Sequence, residues 1–254
     1  MKTWSLVALL MLGLIACEKE KSAQPAPGQK ITQLETGNEG NMRFTYNAAG
    51  QLVKAVITDE DLTNGDEITF DIVYGTNGKM REVRKSDGQT IKPQYVDNEM
   101  VKAELFEANE LIGFTEYGYL NGHLKQAEVK LMDGNTPKPL MKFVLTYNAQ
   151  QQPVKSSLWF TDMQTGTLVP SGHVDISYDN RVNPLKHLSD FMLLLLQLPS
   201  NNNILQEKQY DKTGALEEVR DFTYSYNSNN MPTTAQVKTT AGTQVSTTNL
   251  RYSY

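Results

Sequence analysis

The stretch TYNAAGQL, residues 45–52, places an aromatic before a short polar tract, closes the tract with Gly50 and resumes with apolar Leu52. The same order returns in VYGTNGKM (73–80) and QYDKTGAL (209–216), and with the glycine replaced in TYNAQQQPV (146–154) and SYNSNNMP (225–232). Asn, Asp and Gly tolerate positive φ, and an Asx side chain bonds the backbone two residues on. Each copy therefore reads as a β-hairpin with a loop of about four residues. Tyr46, Tyr74 and Tyr210 open the clear copies. Tyr95, Tyr147, Tyr178 and Tyr226 open weaker ones, with Glu99, Gln151, Val182 and Asn230 at the glycine position, and YLNGHL (119–124) is one residue shorter. The aromatics are expected side by side along one rim of a sheet. Nothing in the unit presents the same reactive group twice, so the repeat is structural.

Between the turns the chain alternates. In EITFDIVY, Ile68, Phe70, Ile72 and Tyr74 fall on one face and Glu67, Thr69, Asp71 and Val73 on the other. AEVKLM, KFVLTY, HVDISY and DFTYSY keep the same period of two, the pattern of a half-buried strand. A dozen or more such strands exceed what one open sheet holds without curling, splitting or closing. The fold class expected is all-β: an antiparallel meander curled into a large barrel-like sheet, with a two-sheet sandwich as the alternative.

NPLKHLSDFMLLLLQLPSNNN (183–203) breaks this pattern. Pro184 suits a first helical turn and Pro199 a stop, with Asn201 to Asn203 as a loop. Leu185, Leu188, Phe191, Met192, Leu195 and Leu196 keep helical spacing, and Phe191 to Leu196 is apolar all round. A short helix near 184–198, packed in the interior of the curled sheet, is expected. A strand through the leucine run is the other reading. The run is far too short to cross a bilayer.

The chain opens with Lys2 and an apolar stretch from Leu6 to Ile15, followed by Leu14-Ile15-Ala16-Cys17. The stretch is too short to span a membrane and reads as a signal peptide (1–16). The Leu-Ile-Ala-Cys ending resembles a bacterial lipobox. That resemblance implies cleavage before Cys17 and lipidation of its sulfur, with acyl chains holding the mature chain to a membrane. CEKEKSAQPAPGQK follows and reads as part of a flexible tether (17–38), leaving 39–254 as one β-meander domain. Glu18 and Glu20 partly match the surface-export signal of Bacteroides-type lipoproteins, so the periplasmic and cell-surface faces of the outer membrane both stay open.

Cys17 is the only cysteine, which excludes an internal disulfide and a cysteine-based metal site. The formal charge of −5 becomes −6 without Lys2 and argues against nucleic acid as a partner.

YDNRVNPLKHL (178–188), PSNNN (199–203), QYDKTGALEEVRDFTYSYNSNNMPTTAQV (209–237) and the terminal RYSY together resemble a family of secreted Bacteroides-type lipoproteins of unknown function. That family is described as having a porin-like β fold. Asn183-Pro184 and Asn201-Asn202 hold its hallmark positions, and Leu185 stands where its pattern has an aromatic. The resemblance implies a fold and a location and carries no activity.

Chemistry is sparse. His123, His173 and His187 are isolated, with no i,i+4 partner, and read as structural rather than metal ligands. No serine sits in a G-x-S-x-G context and no glycine loop cradles phosphate, so no catalytic residue and no cofactor is assigned. Glu217 and Glu218 are adjacent on a strand and point to opposite faces. Asp59, Asp61 and Asp66 in TDEDLTNGDE could hold Ca²⁺ with hard oxygens, although the spacing is not that of an EF-hand and a solvated hairpin loop is the plainer reading. Trp159 and Phe160 are neighbours on a strand, so one ring goes inward and Trp159 is a candidate glycan contact. The function expected is a non-enzymatic, lipid-anchored envelope protein binding a hydrophobic molecule, a glycan or an envelope partner. An integral outer-membrane β-barrel, suggested by the terminal Tyr252-Ser253-Tyr254, and an unrecognised hydrolase are the alternatives.

Overall fold

The computed structural model describes residues 29–37, 40–58, 67–198 and 200–254. The strands follow one another in chain order: β1 (Gln33–Glu35), β2 (Asn41–Tyr46), β3 (Leu52–Thr58), β4 (Glu67–Tyr74), β5 (Met80–Lys85), β6 (Gln89–Val96), β7 (Glu99–Glu107) and β8 (Glu110–Leu120). They continue as β9 (His123–Asp133), β10 (Thr136–Tyr147), β11 (Pro153–Thr161), β12 (Leu168–Val182), β13 (Asn202–Asp211), β14 (Leu216–Tyr226), β15 (Pro232–Ala241) and β16 (Gln244–Ser253). Each pairs with its neighbours in sequence, and β1 also pairs with β16, so one antiparallel sheet closes into a barrel. The single closed ladder excludes the sandwich.

The closure is made by a strand the sequence reading placed in the tether. In β1, Leu34 stands opposite Tyr252 on one side and Met42 on the other. Ile31 and Leu34 are buried in the core, so the barrel begins well before residue 39. Three residues are too few for periodicity to reveal.

The alternation in β4 is as expected: Phe70 and Ile72 are buried, and Ile68 and Tyr74 pack against them from inside. The outward positions form a lattice of charge. Arg43 meets Glu67 at 2.5 Å, Lys102 meets Glu104 at 2.7 Å, and Lys130 meets Glu116 at 2.8 Å and Glu128 at 3.4 Å. Lys102 and Lys130 also cover the ring of Phe114, at 4.3 and 5.7 Å from its centroid. A barrel that meets lipid carries its apolar band outside. Here the apolar band faces the lumen.

The turns repeat one geometry. Asn47 N–H donates to Gln51 O and Gly50 N–H to Asn47 O, at 2.9 and 2.8 Å. The same two bonds recur in the turns that begin at Gly75, Asn148, Asp211 and Asn227. Gly50 has φ +75°, and Gln151 and Asn230 adopt the same left-handed backbone at +62° and +58°. Two expected copies differ. After Tyr95 the chain turns on Asp97 and Asn98 alone, both left-handed, at φ +48° and +72°. Such a two-residue turn matches the strand twist directly, so Glu99 already belongs to β7. After Tyr178 the strand runs on to Val182 and no hairpin forms.

These backbone assignments can be checked by stability. Gly214 has φ +85° and open space where a Cβ would stand, so Gly214→Ala should cost about 1 kcal/mol through backbone strain alone. Gln151→Gly should relieve strain of that size, offset in part by a more flexible unfolded chain. Urea denaturation of both variants measures the difference, and a midpoint raised by Gly214→Ala would contradict the assignment.

Candidate functional site

The segment between β12 and β13 turns into the barrel. Lys186–Leu188 form one turn of 3-10 helix, and α1 (Ser189–Leu194) continues it. The helix is shorter than the sequence spacing implied, because Leu196 turns left-handed at φ +57° and Gln197 N–H closes back on Met192 O. Asn202 and Asn203, expected in a loop, already belong to β13. Leu185, Leu188, Phe191, Met192, Leu193 and Leu195 are all buried. Phe191 meets Phe70 edge to face at 5.5 Å, and the Tyr117 hydroxyl donates to Leu193 O at 3.0 Å. The segment is a plug in one end of the barrel.

Its neck is clamped by polar groups. Asn183 N–H donates to Asn201 O at 2.8 Å, and the Asn183 side-chain amide donates to Ser200 Oγ at 2.7 Å. Asn202 Nδ2 reaches Arg181 O at 3.1 Å. The Asp179 carboxylate accepts from Arg181 N, from Asn203 N and Nδ2, and from the Tyr226 hydroxyl. The Arg181 guanidinium lies 4.5 Å from the Tyr226 ring centroid. The Asn-Pro and Asn-Asn pairs of the sequence are thus the two sides of the plug's neck. Sequence reasoning missed Asp179, whose role depends on a tyrosine two strands away.

The tyrosines encircle the plugged end. Those that end a paired strand sit at an irregularity in the ladder, as Tyr46, Tyr95, Tyr119 and Tyr147 do opposite Leu52, Met100, Leu124 and Pro153. The next tyrosine round the rim then donates its hydroxyl to the carbonyl of that opposite residue. Tyr74 donates to Leu52 O at 2.9 Å, Tyr119 to Met100 O at 3.1 Å, Tyr147 to Leu124 O at 2.5 Å and Tyr178 to Pro153 O at 2.9 Å. Tyr254 likewise reaches Pro232 O at 2.7 Å. Proline is tolerated at 153 and 232 because the carbonyl is used and no N–H is required. Tyr226 departs from the series by donating to Asp179, and Tyr95 interrupts it. Its hydroxyl is buried, and it lies beside Asp190 without a hydrogen bond of normal geometry. Tyr210 is the exception to the single rim: it lies at the opposite end, stacked on His173 at 4.6 Å.

Two grooves flank the plug at this rim. One, of about 400 Å³, runs between Lys30, Tyr74, Lys79, His187 and Asp190. The other, of about 240 Å³, lies between Glu99, Tyr119, His123, Tyr147 and Asp190. Burial raises the Asp190 carboxyl above the ordinary range, with nearby Lys79 opposing it. Burial lowers His187 to about 4, assisted by Lys30, and its Nε2 lies 2.9 Å from the Tyr46 hydroxyl.

The other end of the lumen is lined differently. Ala103, Thr115, Val129, Met141, Phe160 and Val169 form one inner row across β7 to β12. Ile176, Glu207, Arg220, Thr239 and Ser246 form a row across β12 to β16. Arg220 lies 2.6 Å from Glu218 and 3.8 Å from Glu207.

The sequence candidates scatter. Trp159 stands on the outer wall, half-buried, while Phe160 packs inward. His123 leans on Tyr147 at 5.5 Å between ring centroids, so the three histidines occupy separate places. Glu217 receives a bond from Gln209 at 3.3 Å and Glu218 pairs with Arg220, so the two glutamates serve different partners. Cys17, the signal peptide, Asp59, Asp61 and Asp66 lie outside the described residues.

No family model matches this chain, and no curated protein does. Among solved structures it is similar to a porin-like protein from Bacteroides uniformis, with TM-score 0.64 and 14% identity over 91% of this chain and 99% of that one. A porin-like protein from Bacteroides vulgatus aligns with TM-score 0.51 and 14% identity over 89% of this chain and 99% of that one. At this identity the likeness establishes a porin-like β fold.

Two measurements test the plugged end. Asp179→Ala removes the common acceptor of several half-buried donors and should cost about 3 kcal/mol, whereas Tyr226→Phe, losing one bond, should cost about 1 kcal/mol. Equal, small losses in urea denaturation would count against the clamp. Alkaline titration tests the tyrosine series. Burial holds Tyr46, Tyr119, Tyr178 and Tyr254 above the ordinary phenol value of 10.0, and Tyr147 at about 12. The unfolded chain therefore ionises first, so stability is intact below pH 10 and falls as pH rises through the folded values. Phenolate absorbance of these rings should rise together with loss of the far-UV β signal; a complete rise in a still-folded barrel would contradict the hydrogen-bonded ring.

Proposed function

We propose that the mature chain is a non-enzymatic module of the cell envelope, lipid-anchored to the outer membrane through Cys17, that binds a ligand or an envelope partner. The observation that carries this reading is the polarity of the wall. Arg43, Lys54, Glu67, Asp71, Arg84, Lys102, Glu116 and Lys130 occupy outward positions of successive strands, while the apolar residues pack inside. Placing such an outer surface in hydrocarbon would desolvate many charges, at about 2–4 kcal/mol for each midplane Lys or Arg. Two or three acyl chains on Cys17 are then the natural way for this barrel to stay at a membrane. The Leu-Ile-Ala-Cys sequence supports the same route.

Fractionation of cells expressing the full chain tests it. The wild type should sediment with outer membranes and incorporate labelled palmitate, and Cys17→Ser should do neither. If Cys17→Ser stays in the membrane and needs detergent to leave it, the integral-barrel alternative replaces this reading.

A further inference from the structure

The geometry points to a ligand site in the lumen opposite the plug that takes an uncharged amphiphile, its apolar body against β6 to β12 and its hydroxyl-bearing head against β13 to β16. This rests on the reading of the protein as a binding module and names the chemistry of its ligand.

Side chains that point into a filled barrel are buried. At the plugged end they are, as Val83, Ala127 and Leu145 illustrate. Further along the lumen burial is uneven: Ala103, Met141 and Ile176 stay covered, but others on the inner face do not. Val169 points inward, opposite Phe160, yet is 41% exposed. Leu131 lies opposite Gly113, whose own inward Cβ direction meets the Leu131 side chain, and it is 44% exposed. Leu105 and Val129 are half-buried on the same arc. These residues form an apolar inner patch that water reaches, bordered on the same face by Gln89, Glu107 and Lys138, and such a patch is the kind of surface that a ligand covers favourably.

The facing arc is polar. Arg220 is held between Glu207 and Glu218, so its charge is already compensated within the wall. Thr239 and Ser246 follow Arg220 in the same inner row and bring hydroxyl groups to the lumen. With two carboxylates to one guanidinium, this arc disfavours an anionic head, and the hydroxyl groups of Thr239 and Ser246 suit a hydroxylated one. Access is given by the uneven wall. From their common tyrosine rim, β2 to β5 run only 6 to 8 residues, whereas β8 to β10 run 11 or 12 and β12 reaches from Tyr178 back to Leu168. Among the described residues, the lumen at this end is bounded by a lower wall on one side.

Isothermal titration of the mature barrel with octyl glucoside, below its micelle concentration, tests the site, with glucose as the headgroup control. Saturable one-site binding is expected for octyl glucoside and none for glucose. Leu131→Glu and Val169→Glu place a carboxylate against the apolar body and should each weaken binding about tenfold or more. Both residues are exposed, so the core is untouched, and far-UV circular dichroism confirms folding. Leu120→Glu alters a residue 58% exposed at the plugged end and should leave the affinity unchanged. Absence of saturable binding, equal binding of glucose, or affinity indifferent to both lumen substitutions would overturn the site. Those results would leave the Cys17 fractionation untouched, so a failed lumen site and a failed anchoring reading are separable.

Discussion

A sheet of sixteen strands closes around more space than its own side chains can fill. About eight strands give an interior that side chains pack completely, and barrels of sixteen to eighteen usually enclose water. This chain nevertheless puts Phe44, Phe70, Ile72, Val83, Leu145 and Ile176 on the inner face. An apolar lining around a water channel would forfeit the burial that stabilises a sheet. The plug resolves the conflict. Leu188, Phe191, Met192 and Leu195 occupy the axis at one end, and the inner faces of distant strands acquire a common core. The charged outer wall follows from the same choice, since a meander of alternating strands has only one face left to offer water.

A plug that fills a barrel must also be held there, and the rim does this with backbone groups. The irregularity before each turn leaves a carbonyl outside the regular ladder, and the tyrosine of the next hairpin supplies its donor. Each such bond contributes about 1 kcal/mol, but the series runs from hairpin to hairpin and joins neighbours that the strand ladder alone couples weakly at its end. Tyr117 extends the same chemistry from the wall to the plug backbone. The neck adds a second constraint. With Asn183, Ser200 and Asn203 all buried and bonded, the plug enters from fixed points on β12 and β13.

Much of this architecture was legible in the sequence because it is local. Period-two alternation marks the strands, and a left-handed turn residue marks most hairpins, including Gln151 and Asn230 where no glycine stands. The plug was legible because Phe191 to Leu196 has no polar side to give to solvent. What escaped is non-local. The three residues of β1 have meaning only between β2 and β16. Tyr210 resembles the rim tyrosines in its local sequence, yet the parity of its hairpin puts it at the other end. Asp179 looks like one more acid in a turn until Tyr226 and Asn203 converge on it. The inner row from Val129 to Val169 comes from strands whose register no single segment reveals.

The division of the barrel separates stability from recognition. The tyrosine series, the clamp and the plug all lie at one end, and the repeat that builds them recurs in hairpin after hairpin there. The opposite end takes its inner surface from the far halves of β8 to β14, where the turns differ in length and type. Residues such as Leu131 and Val169 at that end bear little of the core, as their exposure indicates. Such positions can change without loosening the plug. A scaffold that concentrates its packing at one mouth leaves the other free to acquire the chemistry of a ligand, and the paired Glu207, Arg220 and Glu218 facing an apolar arc are that chemistry in this chain.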